Sequence, residues 1–451
     1  MWKLKLFVVT FCSWISMSTS VHAQEYLIKT FDIKAVSNEI EFQINDTISD
    51  AALYLIETNE TKQKLQMIEE IEVIEENKTI SLPPTSSQFF PLQVSEDWGF
   101  KWLRLSSLAY GTEPVRIGLL DTGVDTDHPL LLPYLEEGYT MYPNEGVEDL
   151  NGHGTGIAGI IVNQSPTSIR IVPIKVMNQY GRASTYAIID GINQAIEAKV
   201  DIVNLSLGAI NDSPLLQESI QTALEANIVI VAAAGNFGGN GALYPARYSE
   251  VIGVGALDEN GEISSFSQKG EGVDVYAPGK ELLTTELGGG LAYKSGTSFA
   301  SGYISKAVAL LKVHQSLSNN EIVKKFHQAI IIRNEIPQLS IPRLNYQALS
   351  LEEKEIQNQR QTVIINDLKK QWTIYFSKNV DPASINPRSI YIKGHHEIVE
   401  SNIYVSGNTV SIQPIRPLIQ GNTYSLIISN HITSSEKEPL KESVLQRFTI
   451  E

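Results

Sequence analysis

The chain has 451 residues, of which 42% are apolar and 19% charged, and its formal net charge is −16. That length exceeds one ordinary core and implies two or three domains. The acidic balance excludes a nucleic-acid binder, which needs Lys and Arg in excess to neutralise phosphates.

At the N-terminus, Lys3 and Lys5 precede the apolar run Leu6 to Met17, and Val21-His22-Ala23 places small residues around a cleavage after Ala23. This is the pattern of an export signal over residues 1–23. The apolar run is shorter than the roughly 20 residues a membrane-spanning helix requires. A secreted protein with no membrane span in the mature chain is therefore expected. The only cysteine, Cys12, falls inside the signal, so the mature chain would carry no disulfide and no thiol nucleophile.

Residues 24–87 come next, within a strongly acidic region: 24–90 hold 13 acidic and 5 basic side chains. Alternation in "YLIKTFDIK", "IEFQIND" and "IEVIEE" predicts strands, and a helical window is predicted around Thr47 to Met67. The expectation is a small α+β unit, closed by Pro83-Pro84-Thr85-Ser86-Ser87 as a linker. From 88 to 348, apolar strands such as "VRIGLLD", "VDIVNLSL" and "NIVIVAAAGN" alternate with helical stretches. In one of these, 184–199, Ile188, Ile192, Ala195 and Ile196 share a face. Continuous apolar strands separated by helices predict an α/β domain with a doubly wound parallel sheet. Residues 352–451 alternate in "WTIYF", "YI" and "YSLII", with turns at Ser406-Gly407-Asn408 and Gln420-Gly421-Asn422, which predicts a β-sandwich.

Functional residues of such sheets gather beyond the carboxyl ends of the strands. Asp121, in "IGLLDTGVD", and Asn236, in "AAAGN", both occupy such ends. An Asp-Thr-Gly could be half of a paired-carboxylate site, but no second copy exists in the chain. The alternative is nucleophilic catalysis by serine. His153 stands at a helix start in "NGHGTG", and Ser298 opens an apolar helix in "KSGTSFASG". A serine hydroxyl needs a base to take its proton, and histidine titrates near neutrality. A fixed carboxylate sets the imidazole's tautomer and stabilises the imidazolium. The Asn236 amide and a backbone N–H at the Ser298 helix could meet the developing oxyanion.

With these motifs in view, residues 88–348 resemble the subtilisin family of serine endopeptidases (peptidase S8). "DTGVD", "NGHGTGIAG", "NLSLG", "AAAGN" and "GTSFAS" stand in the family's order. The resemblance implies Asp121, His153 and Ser298 as the triad, Asn236 as oxyanion donor, and a protein or peptide substrate. It also implies that substrate adds as a strand to Gly181-Arg182-Ala183 and Ser206-Leu207-Gly208. Ala232, Ala233 and Ala234 would then wall the first specificity pocket, although tight sheet packing is an alternative reading of that run. Leu243 stands at the pocket floor where some relatives have a smaller residue. Since no acidic side chain lies among these positions, a preference for modest apolar residues is expected.

Some positions depart from the family pattern. Leu130 follows "DTDHP" where an aspartate serves the strong calcium site, and the loop after Val162 is short. Calcium takes six to eight oxygen ligands, so this site is weakened; structural calcium stays open, and the chemistry requires no cofactor. Gly302 replaces a proline, and Gly156 a second histidine. By the same resemblance, residues 24–87 are expected to be an inhibitory prodomain that the enzyme cuts near 82–95. The tail, through "WTIYFSKNVDPASINPRSIYI" and "PLIQGNTYSLII", resembles bacterial Ig-like domains of the surface-layer class. The expectation is a secreted bacterial zymogen, monomeric in its mature form. The alternatives are a catalytically inactive binding relative and a maturation protease dedicated to one partner.

Overall fold

The computed structural model describes residues 23–82, 86–88, 98–99, 114–163, 165, 167–312, 319–333, 335–339, 356, 358–385, 389–395 and 397–451. The expected export signal lies outside them apart from Ala23. The chain divides into two units, residues 1–77 and 78–451.

In the first unit, strands β1 (Gln24–Lys29), β2 (Gln43–Ile48), β3 (Leu53–Thr58) and β4 (Val73–Glu76) form one sheet in the order β2-β3-β1-β4. Helices α1 (Ile33–Glu39) and α2 (Lys62–Leu65) accompany it. Tyr26, Ile28, Val36, Ile56 and Leu65 make a small buried core. The helical window expected over Thr47 to Met67 is helical only at Ser49–Ala51 and Lys62–Leu65. Its middle is β3, held between β1 and β2 by backbone pairing on both sides. A segment's own preference yields here to its context, since β3 is paired on both sides and packs its Leu53, Leu55 and Ile56 into buried positions. Helix α1 begins at Asp32, whose carboxylate accepts from Ala35 N.

The second unit opens with two short strands, β5 (Thr79–Ser81) and β6 (Ser86–Gln88). The second takes in Ser86 and Ser87, which the sequence had suggested were linker. The main sheet contains β7 (Val115–Asp121), β8 (Tyr139–Thr140), β9 (Ile169–Lys175), β11 (Ile202–Leu205), β12 (Val229–Ala233), β13 (Ile252–Leu257) and β14 (Val275–Pro278). These run parallel in the order β14-β13-β12-β11-β7-β9-β8. Strand β10 (Arg182–Ser184) stands apart, as does the hairpin of β15 (Leu282–Glu286) and β16 (Gly290–Ser295).

Helices α3 (His153–Val162), α4 (Thr185–Glu197) and α5 (Pro214–Glu225) lie between these strands in the chain, and α6 (Thr297–Lys312) follows β16. Successive side chains of a strand point to opposite faces, and both faces are covered. Ile117 and Leu119 share a buried cluster with Ile157 of α3 and Ile304 of α6. Leu120 and Ile174 instead approach Gly191 of α4. Fully burying one such side chain is worth about 1.5–3 kcal/mol, so each apolar strand position draws a helix onto its face. Gly302 of α6 lies against Ile157 and Ile160, where an added Cβ would come within 3.2 and 3.3 Å. The missing proline therefore coincides with a close crossing of α3 and α6.

The C-terminal part holds a five-stranded sheet and a three-stranded sheet, with Val410, Ile412, Tyr424, Leu426 and Phe448 between them in one core. Gly407 and Gly421, with φ of 58° and 82°, turn the chain at the two places the sequence marked.

Candidate active site

Asp121 is the last residue of β7, and its carboxylate is fully buried. Oδ1 accepts from Thr122 N at 2.8 Å and from His153 Nδ1 at 2.7 Å. The imidazole is buried as well, and its ring lies 5.8 Å from that of Phe299. His153 is the first residue of α3, and the turn that delivers it is tightly made. Asp149 Oδ1 accepts from Asn151 N and Gly152 N, both at 2.9 Å, and Oδ2 accepts from Thr155 N and Thr155 Oγ1. Thr122 Oγ1 accepts from Gly154 N. Gly154 must be glycine, because a Cβ there would sit 2.1 Å from the carbonyl oxygen of Gly123.

Ser298 is the second residue of α6 and is buried. Its Oγ donates to the carbonyl of Ser206 at 3.2 Å, while Nε2 of His153 has no hydrogen-bond partner among the described atoms. The hydroxyl–imidazole bond is thus not made in this arrangement, and rotation about the serine χ1 is the movement that would aim the hydroxyl elsewhere. The loop after β11 supports the same helix. Ser206 Oγ meets Asn204 Oδ1, Ser298 O and Ser301 Oγ, and Asn204 Nδ2 donates to Ser301 and Ser305. Asn236 Oδ1 accepts the backbone N–H and the hydroxyl of Thr297 at 2.9 and 2.8 Å. That makes Nδ2 the donating end of the amide and fixes it beside the N-terminus of α6. The first turn of a helix has N–H groups without intrahelical acceptors, so this corner suits a developing negative charge.

Of the two segments expected to receive substrate, the first pairs with a strand of this same chain. Arg182, Ala183 and Ser184 of β10 pair antiparallel with Ser81, Ile80 and Thr79 of β5, and Leu82 N donates to Gly181 O at 2.8 Å. Gly181, with φ of 66°, leaves room for Leu82, whose Cδ1 lies 2.7 Å from where a Cβ would stand. Strand β6 pairs antiparallel with Tyr293, Lys294 and Ser295 of β16. The carbonyl of Ser206 faces Ser298, Leu207 is buried, and Gly208 is half-buried.

Ala232 and Ala233 are buried within the ladder between β11 and β13, and Ala234 N bonds Val254 O. Leu243 is buried, its N–H bonded to Ala234 O. Its side chain packs on Gly208 and Gly235, each of which would carry a Cβ within 2.9 Å of it. Among the described residues no group of three or more His, Cys, Asp or Glu side chains is placed to hold a metal.

Two residues of this corner had not stood out in the sequence. Asp149 was legible in principle, since an Asp shortly before a helix is a capping signal. Lys294 was not. It is buried beside α3, with Nζ 2.5 Å from Gly152 O and 3.0 Å from Glu286 Oε2, and only the folding of the distant β15–β16 hairpin brings it there.

An Asp at a strand end bonded to a buried His at one helix start, with a serine in the first turn of another helix, is an arrangement that fits a serine peptidase. Residues 112–358 match the Subtilase family (Peptidase_S8), and residues 347–450 match a bacterial Ig-like domain. The chain belongs to the Subtilase family and is a serine endopeptidase. It is 31% identical to the M-protease of Shouchella clausii over 340 residues, covering 70% of this chain and 89% of that one. It is 36% identical to the intracellular serine protease of Paenibacillus polymyxa, covering 51% and 76%. Subtilisin BL of Lederbergia lenta is 37% identical, with coverage of 46% and 80%.

Proposed function

We propose that the chain is the precursor of an exported endopeptidase that hydrolyses peptide bonds with Ser298 as nucleophile, His153 as general base and acid, and Asp121 as the group that orients and stabilises the imidazole. The observation carrying this reading is the buried 2.7 Å bond between His153 and Asp121, with the His153 ring 5.8 Å from that of Phe299, the residue after Ser298. Bonded at Nδ1, the ring turns Nε2 toward accepting a proton. Once the Ser298 hydroxyl turns from Ser206 O to Nε2, Oγ attacks the carbonyl and the proton passes to the imidazole. Nδ2 of Asn236 and the backbone at the start of α6 stabilise the resulting oxyanion. The imidazolium then protonates the leaving amine, and water repeats the sequence to release the acyl group.

Substrate lies as an added strand along Gly181–Ala183 and Ser206–Gly208. The chain's own residues 79–82, on the first of these edges, support that mode. They also support reading residues 24–87 as an inhibitory prodomain whose tail occupies the cleft until it is cut. Leu243, filling the space between Gly208 and Gly235, favours modest apolar side chains at the cleaved position. The Ig-like domain and the signal pattern favour an extracellular setting.

The experiment is labelling of the full chain with a fluorophosphonate, together with sequencing of its N-terminus. Wild type is expected to label and to shed its first segment, and Ser298→Ala to do neither. A wild-type chain that folds but never labels would favour the inactive binding relative, and cleavage after Arg alone in a peptide library would overturn the pocket reading.

A further inference from the structure

We infer that Lys294, with Glu286, is a positioning residue for His153: its buried ammonium pins the carbonyl of the residue that leads into the histidine helix. This rests on reading His153 as the general base.

Gly152 is the N-cap of α3, has φ of 92°, and has no side chain to cap the helix. A glycine there is free to swing unless both faces of its peptide groups are held. They are. Its N–H donates to Asp149, and its carbonyl accepts from Gly156 N within the helix and from Lys294 Nζ across the site. The orientation of the peptide group between Gly152 and His153, and with it the direction of the imidazole, is set from two sides.

The site is built for this lysine. Glu286 balances the ammonium at 3.0 Å, with both side chains largely buried, and Glu286 Oε1 in turn accepts from Leu287 N. A Cβ at Gly152 would lie 2.6 Å from Glu286 Oε1 and would be strained by the φ of 92°, so a larger residue there would displace the Glu286 carboxylate. Gly156, one turn into the helix, has its Cβ position 2.9 Å from Lys294 Cδ and 3.1 Å from Phe299 Cε1. The absence of a side chain at 156 is therefore explained by the lysine stem that occupies its space. The hairpin that carries the pair also holds two carbonyls of the same helix: Thr284 Oγ1 donates to Gly156 O and Thr285 Oγ1 to Thr155 O, both at 2.6 Å. A single buried cation, hydrogen-bonded and paired, is costly to leave uncompensated, so the arrangement is rigid where the base must be rigid.

The test is steady-state kinetics on a peptide substrate with the full chain allowed to mature, normalised to fluorophosphonate-titrated sites. Lys294→Met is expected to lower kcat about tenfold or more with KM little changed, the scale expected for a misplaced catalytic group. Lys294→Arg, which restores a donor toward Gly152 O, is expected to recover a large part of that loss. Full kcat in Lys294→Met, equal loss in the Met and Arg variants, or a loss confined to KM would each overturn the inference. Should Lys294→Met not fold, Glu286→Gln keeps the shape and frees the ammonium from its counter-charge. It should cut kcat about threefold at unchanged KM, and an unaltered kcat overturns the inference as well. A failure here leaves the Ser298→Ala labelling result untouched, so the positioning role and the triad reading are separable.

Discussion

Two helix beginnings carry the candidate site, and they are finished in opposite ways. Helix α3, which starts at His153, is closed by the protein: Asp149 takes the N–H groups of Gly152 and Thr155, Thr122 takes that of Gly154, and Lys294 takes the preceding carbonyl. Helix α6, which carries Ser298, has its entry fixed by a neutral amide, Asn236, whose oxygen accepts from Thr297. On the mechanism proposed above, the difference follows from the charges each end would handle. A base that must keep one orientation gains from a carboxylate cap. An end that stabilises a transient oxyanion would be spoiled by a permanent negative charge beside it.

The comparison can be tested at four points. Removing the nucleophile at the second helix, by Ser298→Ala, should lower kcat by on the order of 10⁶, the loss seen for the corresponding serine in subtilisin. Active-site titration against total protein checks it, and a residual rate near wild type would exclude Ser298 as nucleophile. Replacing the amide that fixes that helix, Asn236→Leu, should cost about 10²–10³ in kcat with KM nearly unchanged. A loss appearing mainly in KM would make Asn236 a substrate-binding residue instead.

Where the two helices lean on each other, Lys306 of α6 is buried and donates to Asn163 O at the end of α3. Burial pushes its ammonium pKa down from 10.5 to about 7. The unfolded chain thus binds that proton more tightly, so stability rises with pH between about 7 and 10.5 and the full penalty applies below 7. Lys306→Met should therefore raise Tm at pH 7, by an amount reflecting a few kcal/mol at most, and the advantage should vanish above pH 10.5. Thermal melts at several pH values decide it, and an advantage that does not depend on pH would contradict the linkage.

The smallest effect belongs to the cap. Asp149→Ala should destabilise by about 1–2 kcal/mol and lower kcat less than Lys294→Met, since Asp149 holds the N–H of Gly152 and not the carbonyl that joins it to His153. Parallel measurement of Tm and kcat checks this. A collapse of kcat without loss of Tm would mean that Asp149, rather than Lys294, governs the imidazole.

The sequence by itself determined the parts whose chemistry is local. "VRIGLLD" reads as a buried strand delivering Asp121 because every position is apolar until the last, "NGHGTG" starts a helix because its small residues allow a tight turn, and the C-terminal alternation predicts two-sided strands. The order of those motifs along the chain carried the family. Elsewhere local signals misled or were silent. The stretch around Leu53 has helical spacing yet became β3, since pairing with two neighbours is decided by the sheet and not by the segment. Ser86 and Ser87 look like linker and became a strand on the edge of β16 for the same reason. What brings Asp121 to His153 across 32 positions, sets Leu243 against Gly208 and Gly235, and seats Lys294 on Gly152 across 142 is tertiary packing alone. Such contacts depend on which elements cross in space. A sequence states the propensity of each element, but the crossing is fixed only when all of them compete to bury their apolar faces at once.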